Sequence, residues 1–167
     1  MKKLRIILAV ILLVSLLAGC TLSKPNASKV TFYYSRREFS FGAENSVIVP
    51  EDRDITGHEG EMFYILSLYL MGPLDEDLSS AFPANTRLVR YSASDGHLTV
   101  ELTSVDDILS DAEFSLACSC LSLTCTELTR YDRVTVISGS RSMTLHPSNL
   151  MLVDTPIPIE SQMEESK

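Results

Sequence analysis

The sequence predicts an α+β fold, with one small domain in which two helices pack on one face of a mixed β-sheet. Segments rich in β-branched and aromatic residues interleave with two segments that carry apolar residues at helical spacing. Turn signals at 94–96 and 138–140 each join two such strands as a hairpin. The length of chain between 29 and 147 suits a single modest core.

The predicted elements follow the order βαββαββ. In chain order they are a strand at 30–34, a helix from 56 to about 71, strands at 88–91 and 98–102, a helix from 110 to about 129, and strands at 134–137 and 142–145. The sequence also allows a short strand at 46–49 that would end at Pro50, but it does not decide whether this strand forms.

Both predicted helices begin at a capping box, in which a Ser or Thr and a Glu three residues later bond to each other's backbone N–H. Thr56 with Glu59 opens the first helix, and Ser110 with Glu113 opens the second. The glycine and proline at 72–73 stop the first helix. Its expected apolar face consists of Met62, Phe63, Leu66, Tyr69 and Leu70.

The second helix carries apolar residues on two sides. Its expected core face is the stripe of Phe114, Cys118, Leu121, Cys125 and Leu128. Leu116, Cys120 and Leu123 lie nearly opposite, about 200° away when each residue turns 100°. A domain of this size cannot wrap a helix completely, so these three residues predict an interaction surface. The alternative, equally favoured, is that the neighbouring helix or the tail covers them.

The N-terminus has the layout of a secretory signal peptide. A positive segment at 2–5 precedes an apolar run at 6–17, which is shorter than the roughly 20 residues needed to cross a bilayer as a helix. Residues 17–20, Leu-Ala-Gly-Cys, resemble the lipobox of bacterial lipoproteins. The resemblance implies that 1–19 are removed and that Cys20 is diacylated, for example with palmitate. Such a protein is lipid-anchored at the extracytoplasmic face of the cell membrane.

Four segments are predicted. They are a signal peptide at 1–19, a lipidated tether at 20–28, the folded domain at 29–147 and an acidic disordered tail at 148–167. Loss of the signal peptide, which has three basic residues and no acidic one, would move the formal net charge from −8 to −11. This balance argues against binding nucleic acid through a basic surface. Attachment to the membrane would come from the lipid and from protein contacts.

Neither an enzyme nor a cofactor is predicted. The serines at 138–140 are explained by a hairpin turn, and no G-x-S-x-G motif occurs. Asp106 and Asp107 precede a helix, where such residues more often cap or face solvent than carry protons. No metal site is expected, because the remaining cysteines lack metal-ligand spacing and the histidines lie far from them. These residues are Cys118, Cys120 and Cys125, and His58, His97 and His146. The three thiols are interpreted as small apolar helix residues.

Six short motifs follow one another along the folded region. They are Val-Thr-Phe-Tyr-Tyr at 30–34, Leu-Met-Gly-Pro at 70–73, Phe-Pro-Ala-Asn-Thr-Arg-Leu at 82–88, Asp-Gly-His-Leu-Thr-Val-Glu-Leu at 95–102, Thr-Cys-Thr-Glu-Leu at 124–128 and Arg-Val-Thr-Val at 133–136. In this order and spacing they resemble the GerMN domain, which is common in lipoproteins of spore-forming bacteria. Asn85 stands where that family usually has Gly, and Cys125 where it has Leu.

The resemblance implies a small α/β module similar to the ring-building modules of sporulation complexes, with no catalytic residues. It implies a membrane-anchored, non-enzymatic assembly or scaffold protein of sporulation or spore germination, whose partners are itself or other envelope proteins. The alternative function is an envelope binding module that holds cell-wall fragments or a peptidoglycan-remodelling enzyme. A membrane-tethered hydrolase is a more distant third.

Overall fold

The structure is a computed structural model that describes residues 27–38, 46–146 and 150. The predicted signal peptide and Cys20 lie outside the described residues, as does most of the tether. The same holds for all of the predicted acidic tail except Leu150. The predictions for these segments therefore stay predictions.

The described strands form two sheets. The smaller sheet is antiparallel and contains β1 (Lys29–Arg36), β2 (Ile48–Asp54) and β3 (Leu78–Ser79), with β1 in the middle. The larger sheet contains, from edge to edge, β4 (Leu88–Ser94), β5 (His97–Leu102), β6 (Arg133–Ser138) and β7 (Arg141–Leu145). Its β5–β6 pair is parallel and its other pairs are antiparallel, so the larger sheet is mixed.

Two helices complete the described fold, α1 (Met62–Leu70) and α2 (Asp111–Leu128). Helix α2 contacts β1 of the smaller sheet as well as β6 and β7 of the larger one, while α1 contacts β4. The predicted α+β class with two helices is confirmed. The single predicted sheet is instead divided in two, because a helix rather than a strand lies along much of one edge of β1.

Strand β2 runs through Pro50 instead of ending there. Tyr33 lies opposite Pro50 in the β1–β2 register, and the N–H of Tyr33 points away from β2, to Oγ1 of Thr124. The pair is therefore not hydrogen-bonded, and a donor at Pro50 would have faced outward. Because β2 is an edge strand, the proline removes no ladder bond.

Helix α1 begins later than predicted. Its N-cap residue is Glu61, whose side chain does not cap it. Thr56 closes a turn instead, with its N–H donating to Oδ1 of Asp54 at 2.8 Å, and Glu59 accepts a backbone N–H in the same turn at 3.0 Å. Phe63 is exposed and thus leaves the predicted apolar face. The buried residues of α1 are Ile65, Leu66, Tyr69 and Leu70.

Helix α2 begins at the predicted capping box. Oγ of Ser110 accepts the N–H of Glu113 at 3.3 Å, and Oε2 of Glu113 accepts the N–H of Ser110 at 2.8 Å. Both predicted hairpins are present, with turns at 95–96 and 139–140. These local signals were sufficient to place the second half of the domain.

Strand β4 contains a β-bulge. Leu88 lies opposite Leu102 and Arg90 lies opposite Glu101, so Val89 is an extra residue. The bulge turns Leu88 toward the core while Arg90 stays on the solvent face with Glu101. Leu88 is the one buried residue of β4, and the rest of the strand is exposed.

Candidate interaction surface

The three residues of the predicted interaction surface have different surroundings. Cys120 has no exposed surface and Leu123 is 9% exposed, so both are buried in the single chain. Leu116 is partly exposed and borders a shallow groove with Ile108 and Arg37. The prediction of an open second stripe on α2 is therefore corrected for Cys120 and Leu123, and Leu116 alone of the three remains accessible.

Strand β1 packs against this side of α2. The N–H of Tyr33 donates to Oγ1 of Thr124 at 2.9 Å, and the hydroxyl of Tyr33 donates to Oε1 of Glu127 at 3.2 Å. Thr124 and Glu127 lie four and seven residues beyond Cys120, on the same side of the helix. The helix thus takes the place that a neighbouring strand would have along β1. From the sequence, the neighbouring helix or the tail was the expected cover of this side if no partner bound it, and β1 was not among the alternatives.

The three thiols of α2 are free and buried. Burial raises the pKa of Cys118, Cys120 and Cys125 from 9.0 to about 12, because a thiolate would lose its hydration there. At Cys118, the guanidinium of Arg141 opposes part of this shift. The thiols are therefore neutral at ordinary pH and pack as small apolar side chains, as the sequence indicates.

Large apolar side chains are exposed on α1, in the segment that follows it and on β4. Met71 is 82% exposed and Leu74 is 76% exposed. Phe63, two helical turns before Met71, extends the same face of α1. The other exposed large apolar residues among those described are Tyr64, Val89, Tyr91 and Ile108. Residues 71–74 are called the 71–74 loop below.

A buried ion pair on β2 holds this loop. Nη1 of Arg53 lies 3.0 Å from Oε1 of Glu51 and donates to the carbonyl of Gly72 at 2.9 Å. Oε2 of Glu51 accepts the N–H groups of Leu74 and Asp75, each at 2.9 Å. Arg53 is only 7% exposed, and hydrogen bonds shielded from water are electrostatically stronger. The loop backbone is thereby fixed while its apolar side chains point to solvent.

Glu51 and Arg53 were not identified from the sequence, although a signal for them existed. Residues two apart on a strand share a face, and these two carry opposite charges. The signal was missed because the strand was expected to end at Pro50, so neither residue was assigned to a strand.

The described residues contain neither a candidate metal site nor a membrane-spanning helix. Within 27–38, 46–146 and 150, no three His, Cys, Asp or Glu side chains converge as the ligands of a metal ion would. No helix in those ranges has the length and apolar character needed to span a bilayer. The exposed side chains of Met71 and Leu74 are of the apolar kind found at protein and membrane contacts.

The fold is similar to solved structures of GerMN domains. The first GerMN domain of the sporulation protein GerM from Bacillus subtilis matches with a TM-score of 0.53 and 14% identity, over 70% of this chain and 86% of that one. At this identity the likeness shows the fold alone. The tandem GerMN domains of GerM match with a TM-score of 0.49 and 19% identity, over 74% of this chain. This chain spans 43% of that tandem structure.

No curated protein matches the chain in sequence. A family model does match: the Germane model, described as sporulation and spore germination, covers residues 31–140. That range is about two thirds of the chain and includes the 71–74 loop and the whole of α2. It therefore confirms the resemblance drawn from the sequence motifs, and the chain belongs to the Germane family of sporulation and spore germination proteins.

Proposed function

We propose that this chain is a membrane-anchored extracytoplasmic lipoprotein with a non-enzymatic assembly role in sporulation or spore germination. Membership in the Germane family supports a role in sporulation or spore germination. Residues 1–20 support the anchor. In this role the domain holds a protein partner near the membrane through the 71–74 loop.

The observation that carries the proposal is the display of Met71 and Leu74 on an ordered backbone. Association is less costly when the contacting groups are already ordered in the free protein. Glu51 and Arg53 bind the backbone of the loop and leave its two apolar side chains free to enter a pocket. Apolar anchors that fill a partner's pocket supply most of the energy in many interfaces.

Combining Met71→Glu with Leu74→Glu is expected to abolish partner binding while the domain stays folded. Loss of one anchor costs about 2 kcal/mol, which is roughly a 30-fold weaker affinity. The measurement is crosslinking of the full chain in sporulating cells of its host, together with the yield of heat-resistant spores. Thermal unfolding of the purified variant checks that the fold is retained, since both side chains are exposed in the native state.

The matched control is Ile108→Glu, which changes another exposed apolar residue outside the loop. It should leave both the crosslinked complex and the spore yield unchanged. Undiminished crosslinking by the double variant would contradict the proposal. Co-sedimentation with purified cell wall, unaffected by the double substitution, would instead favour the alternative function of an envelope binding module.

The anchor is tested separately by Cys20→Ser. Because the acyl chains would be attached to this thiol, the wild-type chain is expected to incorporate radiolabelled palmitate, and the variant is expected to incorporate none. Equal incorporation by the two chains would contradict lipidation at Cys20, and this result would not bear on the proposed partner site.

A further inference from the structure

The outer edge of β4 carries a second surface, beyond the proposed partner site. Among the described strands none pairs with this edge, where the larger sheet ends. Every residue of β4 after Leu88 is exposed. We propose that β4 of one copy pairs antiparallel with β4 of a second copy, which joins the two larger sheets into one.

The β4–β5 hairpin determines which backbone groups face outward. Its turn residues, 95–96, have φ values of 50° and 74°, as a two-residue type I′ turn requires. Ser94 and His97 flank such a turn as a hydrogen-bonded pair. Hydrogen-bonded and non-hydrogen-bonded pairs alternate along the ladder, so Tyr91 and Ala93 belong to the second kind. Their N–H and C=O groups therefore face the free edge.

These outward groups define one pairing between copies. With a two-fold axis beside Ser92, Tyr91 of each copy lies opposite Ala93 of the other, and the two pairs exchange about four backbone hydrogen bonds. A large ring then packs beside a small methyl group, which favours the contact. Arg90 lies opposite Ser94, so the pairing brings no like charges face to face.

Charge favours a second copy at this edge. The chain has 22 acidic and 14 basic residues, so copies repel each other over most of their surfaces. Strand β4 contains no acidic residue, whereas β2, an edge of the smaller sheet, carries Pro50 and three acidic residues. Proline and unpaired charge protect edge strands from pairing. The charge on β4 is Arg90, which is already paired with Glu101.

Ser92→Cys in the full chain tests this pairing. Across the axis the two Cα atoms would form a non-hydrogen-bonded pair about 4.5 Å apart, which suits a disulfide. Mild oxidation in phospholipid vesicles is expected to produce a covalent dimer. The matched control is Ser94→Cys on the same exposed strand, which places the two Cα atoms roughly 13 Å apart in the same pairing and should form no disulfide-linked dimer. Wild type carries the same native thiols and corrects for them.

Equal crosslinking of Ser92→Cys and Ser94→Cys would overturn the proposal. A second readout uses charge, with energy transfer between labelled copies in vesicles. Ser92→Lys alone, or Ser92→Glu alone, is expected to lower the paired fraction about fivefold by repulsion across the axis. An equal mixture of the two variants should restore it, and a mixture that pairs no better than either variant would also overturn the proposal. These variants leave Met71 and Leu74 intact, so the partner complex of the proposed function is scored independently.

Discussion

At pH 8, iodoacetamide is expected to alkylate Cys118, Cys120 and Cys125 at least 1,000-fold more slowly in the folded chain than in urea. The reagent attacks the thiolate, and a pKa of about 12 in place of 9.0 lowers the thiolate population by about three orders of magnitude. Their lack of exposed surface removes direct access as well. Mass spectrometry of the peptide that contains the three cysteines measures the rate.

The exposed Ser92→Cys thiol gives the reference rate within the same folded molecule. It should react on the timescale of the unfolded chain while the thiols of α2 remain unmodified. Rapid modification of Cys120 in the folded chain would contradict the packing of α2 against β1. It would also indicate that the side of α2 that carries Leu116, Cys120 and Leu123 is exposed.

The same thiols make stability depend on pH in the alkaline range. Their pKa values are raised in the folded state, so the neutral form is favoured there and the stabilisation is fully present below pH 9. As pH rises from about 9 to about 12, the unfolded chain loses these protons first. The free energy of unfolding should then fall as pH rises across this range, and urea unfolding at a series of pH values measures the fall.

Arg53→Met is expected to lower the free energy of unfolding by about 3 kcal/mol. The substitution keeps the apolar stem of the side chain but leaves Glu51, whose side chain is only 12% exposed, as a carboxylate without its cation. It also leaves the carbonyl of Gly72 without its donor. The loss is measured as a lower midpoint of urea unfolding, while the slope of the unfolding free energy against urea concentration stays unchanged.

Arg90→Met is the matched control for that substitution. Arg90 also pairs with a glutamate, but its side chain is 76% exposed, where ion pairs contribute about 0–1 kcal/mol. If both substitutions lower the free energy of unfolding equally, the ion pair of Arg53 contributes no more to stability than the exposed pair of Arg90. A large loss confined to Arg53→Met should be accompanied by weaker partner binding, because the 71–74 loop loses one of its backbone bonds.

Two capping boxes of the same form show what local sequence can and cannot decide. The box at Ser110 opens a helix because apolar residues at helical spacing follow it directly. The box at Thr56 does not, because Gly57 and Gly60 adopt φ values of 86° and 84°, which end any helical path through them. The motif alone could not distinguish these two outcomes. The periodicity after the motif could have done so.

The interaction surface was harder to predict, because burial of one face of α2 depends on a distant strand. The second stripe of α2 would be apolar whether a partner or β1 covered it. The spacing of apolar residues therefore cannot distinguish these two cases. The hairpins rest on neighbouring residues, and the family resemblance rests on the order and spacing of short motifs along the chain, so both could be predicted. The contacts of Glu51 and Arg53 with the loop connect elements about 20 residues apart and needed the structure.

The hydrogen bond between Tyr33 and Thr124 spans 91 residues of sequence. A chain that emerges from a pore with its N-terminus first cannot complete β1 until α2 has followed it. Such long-range closure slows folding and postpones it until nearly the whole domain is available. Under the export that we propose, the native structure would form only after the domain has passed through the membrane.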